Sequence, residues 1–183
     1  MRKVLVFLAD GFEESEAICP IDMLKRAGIE VVMAGVDSLE VKSSHGINIK
    51  ADILASDVNV EGFDAIFCPG GMPGAVNLAQ CWSVNEAIIN LYNNGGIIAA
   101  ICASPAVVLA PLGLLDGKKA TCYPGCESYA PSIPFLPEGL VVDGRIITAK
   151  SAGFAFDLGL ELIRALQGDE DAEKVQKSIY YKD

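Results

Sequence analysis

The sequence predicts an α/β domain in which a mostly parallel sheet lies between layers of helix. Three observations carry this. Residues 3–9, 65–68 and 97–101 are short apolar runs that read as strands buried on both faces. Segments with helical apolar spacing alternate with them along the chain. The chain has 183 residues, 51% apolar and 21% charged, which suits one globular domain over residues 1–183.

The elements follow in order. Residues 3–9 form the first strand, closed by Asp10-Gly11. A helix over 13–27 places Ala17, Ile21 and Leu24 on one face and ends at Gly28 as a C′ residue. Pro20 lies inside it and offers no N–H to the carbonyl of Glu16, so a kink is expected there. Residues 30–35 are the second strand, and 41–53 a small hairpin or irregular loop around His45-Gly46. The third core strand, 65–68, runs into Pro69-Gly70-Gly71-Met72-Pro73-Gly74. A short helix near Ala75 and an amphipathic one over 83–93 come next. Strand 97–101 leads into Cys102-Ala103-Ser104-Pro105 and a helix through Leu109. Residues 119–123 read as a further strand, 140–149 as a hairpin turning at Asp143-Gly144, 154–166 as a core helix and 170–178 as a polar one.

The net charge of −10, from 14 basic and 24 acidic residues, repels phosphate backbones and argues against a nucleic-acid partner. The apolar run after Met1-Arg2-Lys3 stops at Asp10, too short for a signal peptide, and no run reaches membrane-spanning length. A cytoplasmic location and no membrane partner are therefore expected. Of the six cysteines, Cys122 and Cys126 are spaced like metal ligands. The only histidine, His45, is remote in sequence, so no metal site is expected. The glycines at 70–74 match neither a phosphate-binding loop nor a dinucleotide fingerprint, and no cofactor is expected.

In parallel sheets ligands bind outside the carboxyl ends of the strands, and residues 10–16, 70–74 and Cys102 all fall there. Ser104 suits an N-cap and Pro105 an N1 position, which would set the Cys102 thiol before a helix N-terminus favouring thiolate. That is the logic of a nucleophile elbow. A buried, inert core cysteine is the alternative, and the strand-to-helix turn favours the reactive thiol. Gly70 and Gly71 offer backbone N–H groups for an oxyanion, or simply a tight turn at positive φ; the two uses are compatible. Glu16 belongs to the acidic group Glu13, Glu14 and Glu16. It reads either as a solvated helix-start carboxylate or, buried beside the thiol, as a proton donor and acceptor. His45 reads as an ordinary polar loop residue.

Glu13-Glu14-Ser15-Glu16, Pro20-Ile21-Asp22, Arg26-Ala27-Gly28, Pro69-Gly70-Gly71 and the run from Ala99 through Cys102 to Pro105 are collinear. Together they resemble the DJ/ThiJ/PfpI superfamily, in particular its parkinsonism-associated deglycase and ThiJ-like branch. The resemblance implies a flavodoxin-like three-layer α/β/α sandwich, similar to class I glutamine amidotransferases, and a homodimer. It implies Cys102 as nucleophile, Glu16 as the carboxyl contacting it, and Gly71 and Ala103 as sources of N–H groups. It places Arg26 and His45 near the dimer interface and an anion-binding region. The implied activity is cofactor-free conversion of a small aldehyde or dicarbonyl such as methylglyoxal, or deglycation, with redox sensing or chaperone-like holding as the alternative. Ala103 stands where the peptidase branch carries histidine, which argues against a peptidase. Tyr123 stands where relatives often have histidine, and His45 where close relatives carry arginine.

Overall fold

The computed structural model describes residues 1–182. Nine strands alternate with five helices: β1 (Lys3–Leu8), α1 (Glu14–Arg26), β2 (Glu30–Gly35), β3 (Glu40–Lys42), β4 (Asn48–Lys50), β5 (Ile53–Leu54), β6 (Ala65–Cys68), α2 (Gly74–Gln80), α3 (Trp82–Asn93), β7 (Ile97–Ile101), β8 (Leu140–Asp143), β9 (Ile146–Ala149), α4 (Ala155–Gln167) and α5 (Asp169–Ser178). Seven strands form the main sheet in the order β5-β2-β1-β6-β7-β9-β8, parallel except for the β8–β9 pair. β3 and β4 make a separate antiparallel hairpin.

Both faces of the sheet are covered, which is why its strands are apolar throughout. Along β1, Val4, Val6 and Leu8 join a core completed by α1, α4 and α5. Leu5 and Phe7 point the other way, into a core with α2, α3 and the segment after β7. This period of two distributes the side chains of one strand between two layers. α1 runs without a break through Pro20, packed so closely on α4 that a Cβ at Gly159 would meet the Pro20 backbone at 3.1 Å. What sets Glu16 apart from its acidic neighbours is the burial of its side chain.

Three further expectations are corrected. Residues 119–123 form no regular element and join no sheet. Their polar groups are satisfied elsewhere, Thr121 N–H donating to Thr148 Oγ1 at 3.0 Å and its hydroxyl to the carbonyls of Leu136 and Glu138. The β8–β9 hairpin turns one residue later than expected. Asp143 is still paired with Ile146, and Gly144, at φ +61, opens a Gly-first turn with Arg145. The segment after Cys102 is a single π-helical turn, Pro105–Leu109, rather than an α-helix.

Candidate active site

β1, β6 and β7 are neighbours, so the loops at their carboxyl ends meet over one edge of the sheet. Cys102 follows the last residue of β7 and adopts φ +64, a left-handed conformation uncommon for a side chain with a Cβ. Hydrogen bonds on both sides hold it there. Its N–H donates to Ala149 O at 2.9 Å, and its carbonyl accepts from Tyr123 N at 2.8 Å. Ser104 is not the N-cap that the sequence suggested. Its backbone is already helical, and its buried hydroxyl donates to Pro69 O at 2.5 Å, tying the β7 turn to the end of β6.

Glu16 comes from the first turn of α1 and is 1% exposed. Glu13 caps that turn, its Oε2 accepting from Glu16 N at 2.7 Å and from Ser15 Oγ at 2.6 Å, while its own N–H donates to Gly70 O at 2.9 Å. The Glu16 carboxyl meets the Cys102 thiol, the Gly70 N–H at 3.1 Å and the Ala152 N–H. Gly70 is therefore corrected: its N–H is committed to Glu16 instead of waiting for an oxyanion. The absence of a side chain there has a steric reason. A Cβ on Gly70 would stand 2.5 Å from Cys102 Cβ and 2.5 Å from Glu16 Oε2. The N–H groups that reach the sulfur belong to Gly71, at φ +92, and Ala103.

Burial pushes the Glu16 carboxyl up to about 7, helped by the Glu13 charge and opposed by hydrogen bonds from Cys102, Gly70 and Ala152. Burial also pushes the Cys102 thiol up, to about 12, with the Glu16 charge and hydrogen bond adding to it and the Gly71 and Ala103 N–H groups opposing. This reverses the expectation of a thiolate stabilised by a helix N-terminus. A single π turn presents no such terminus, and the nearest charge is negative. Two of the upward causes vanish, however, when the proton moves from sulfur to Glu16. The two groups therefore titrate as a coupled pair, each raising or lowering the proton affinity of the other.

The side chains of the remaining predicted residues make no hydrogen bond to Cys102 or Glu16. Arg26 pairs with Asp22 at 2.7 Å, about 15 Å along α1 from Glu16 at the helical rise of about 1.5 Å per residue. His45, on the β3–β4 turn, is exposed, with Nδ1 2.9 Å from Glu14 Oε1 and 3.2 Å from Ser44 Oγ. Tyr123 supports Cys102 through its backbone, and the residue as a whole is 48% exposed. Glu13, Glu14 and His45 bring three potential metal-ligand atoms within 4.8 Å of one another, the only such group among the described residues. Sequence reasoning missed this group, the Ala149 carbonyl and the Ala152 N–H. Their partners lie far away in the chain, and backbone groups carry no sequence signal.

Residues 2–165 match the DJ-1/PfpI family. Among curated relatives, the chain is 38% identical over 176 residues to Protein DJ-1 homolog B of Arabidopsis thaliana, covering 95% of the chain and 40% of that protein. It thus spans less than half the length of that relative. It is 34% identical over 181 residues to the Caenorhabditis elegans protein named glutathione-independent glyoxalase DJR-1.2, covering 97% of the chain and 96% of that protein. The solved structure of oxidised Toxoplasma gondii DJ-1 matches with a TM-score of 0.95 at 40% identity, covering 100% of both chains.

Proposed function

The chain belongs to the DJ-1/PfpI family, and from that premise we propose that it is a cysteine-dependent, cofactor-free enzyme converting small dicarbonyls, methylglyoxal first, to hydroxy acids. The observation that carries the reading is the contact between the buried Glu16 carboxyl and the Cys102 thiol, with the backbone N–H groups of Gly71 and Ala103 at the sulfur. The relative of similar length named a glutathione-independent glyoxalase supports it at family level.

The chemistry follows from the pair. Glu16 takes the thiol proton, and the Cys102 thiolate adds to the aldehyde carbon. The developing alkoxide is met by the N–H groups of Gly71 and Ala103 and receives the proton back from Glu16, giving a hemithioacetal. Glu16 then removes the hydrogen on that carbon and delivers a proton to the neighbouring one, passing through an enediol to a thioester. Water hydrolyses the thioester, releasing lactate and restoring the thiol. Deglycation of sugar-aldehyde adducts would begin with the same addition. A homodimer in the cytoplasm completes the proposal, with Arg26, His45 and Tyr123 as binding rather than proton-transfer groups. Among the described residues no helix is long and apolar enough to cross a membrane.

The test is lactate formation from methylglyoxal by the purified protein without glutathione. Turnover is expected, and Cys102→Ser should reduce it by about 10³-fold or more. Absence of lactate, or full activity in Cys102→Ser, overturns the reading.

A further inference from the structure

A second thiol stands beside the Cys102 turn. Residues 123–126 form a tight turn in which the Cys126 N–H donates to Tyr123 O at 2.9 Å and Gly125 adopts φ +98. The Tyr123 N–H donates in turn to the carbonyl of Cys102 itself. One hydrogen bond and one turn therefore separate the two cysteines, although twenty-odd residues divide them in sequence. The Cys126 side chain packs into the small cluster of Ala75, Ala103 and Val107, and Ala103 is the residue after Cys102. The Glu16 carboxylate acts on both thiols, raising each.

Of the other cysteines only Cys122 lies close to Cys126, whose charge acts on it, and it is nearly sealed from solvent. Cys68 is wholly buried within β6, Cys122 is 3% exposed, Cys19 lies within α1, and Cys81 joins α2 to α3. Cys102 and Cys126 are both only partly buried, so a small peroxide can reach them. The contacts fixing Gly125 are local and exposed, its N–H donating to the Glu127 carboxylate and its carbonyl accepting from Ser128 Oγ. A disulfide between the two residues requires a Cα separation of about 7 Å or less.

We propose that Cys126 is the resolving thiol of Cys102, capturing it as an intramolecular disulfide after oxidation by a peroxide. The proposal rests on Cys102 being the reactive thiol of the function proposed above. The Cys102 thiolate attacks one peroxide oxygen, the O–O bond breaks, and sulfur is oxidised to sulfenic acid while the leaving oxygen takes a proton as water or alcohol. The Cys126 thiolate then attacks the Cys102 sulfur. An S–S bond forms, the S–O bond breaks, and hydroxide leaves as water after protonation, with Glu16 nearby to supply the proton. An external dithiol returns both residues to thiols. Without Cys126, a second peroxide would carry the sulfenic acid to sulfinic acid, beyond the reach of dithiols.

The test treats the reduced full chain with one equivalent of hydrogen peroxide, blocks free thiols with iodoacetamide and maps peptides without reduction. A Cys102–Cys126 crosslinked peptide is expected, with most of the thiol recovered by dithiothreitol. In Cys126→Ser, Cys102 should collect as sulfinic acid and the recoverable fraction should fall by about tenfold. The proposal is overturned by a Cys122–Cys126 crosslink, by sulfinic acid forming equally in both proteins, or by an unoxidised Cys102. Reduced Cys126→Ser should turn over methylglyoxal within a few-fold of the parent. A missing crosslink with turnover intact thus sinks only the disulfide, whereas a crosslink without turnover sinks only the glyoxalase reading.

Discussion

β6 and β7 lie side by side in the sheet, and each is capped by a cysteine, yet the two thiols inhabit different chemistry. Cys68 is the last ladder residue of β6, paired with Ala100, and it is 0% exposed. Burial alone pushes its thiol up to about 12. Cys102 stands one residue past the end of β7, in a left-handed turn that takes its side chain out of the strand alternation. Its thiol is also pushed up to about 12, but there part of the cause is a carboxylate that a single proton can silence. A similar resting pKa thus has the single cause of burial at Cys68 and several causes at Cys102, one of which a proton on Glu16 removes. One residue of chain beyond the ladder makes the difference.

The widest expected contrast lies in alkylation. Near neutral pH iodoacetamide should modify Cys102 faster than Cys68 by about 10³-fold, because only Cys102 combines access with N–H groups that stabilise the anion. Mass mapping of briefly treated native protein measures this, and comparable labelling of Cys68 would collapse the comparison.

Next in size is Glu16→Gln, which retains a hydrogen bond but cannot exchange a carboxyl proton. Methylglyoxal turnover should fall by about 10²-fold. Stability should move the other way, with a definite pH dependence. The Glu16 carboxyl sits near 7 in the folded protein against its ordinary 4.5, so folding favours its protonated form. That stabilisation is fully present below about pH 4.5 and is lost as pH rises through about 7. A glutamine avoids the loss and should make the variant more stable at about pH 8, by on the order of 3 kcal/mol at most, with little difference at about pH 4. Denaturant melts at the two pH values decide it. Equal stability at both would mean that Glu16 is not held neutral by its surroundings.

The smallest effect is expected at His45. Its ring is engaged by Glu14 and Ser44 on the hairpin, so His45→Ala should leave turnover within about threefold. Steady-state kinetics would show otherwise if the chain's single imidazole acted as the base.

The sequence made the main elements legible because each rests on local pattern. The apolar run of β1, the Gly28 stop after α1 and the strand-to-turn position of Cys102 are all statements about neighbours in the chain. It misjudged places where local and distant partners compete. Ser104 looks like an N-cap, but Pro69 O claims its hydroxyl. Residues 119–123 look like a strand, but Thr148 and the carbonyls of Leu136 and Glu138 satisfy Thr121 first. Glu16 could not be separated from Glu13 and Glu14 by composition, since three acidic residues at a helix start are alike until one is buried.

By itself, then, the sequence determined the succession of strands and helices and the position of Cys102 at the carboxyl edge of the sheet. Only the tertiary structure decided which groups surround that thiol. Parallel pairing of β1, β6 and β7 brings three loops to one edge and sets Gly70 close enough that any side chain would strike both Cys102 and Glu16. It also aims the backbone N–H groups of Gly71 and Ala103 at the sulfur and that of Ala152 at the carboxyl. The proton affinity of the pair depends on desolvation and on charges brought together by folding, and neither quantity exists until the layers have packed.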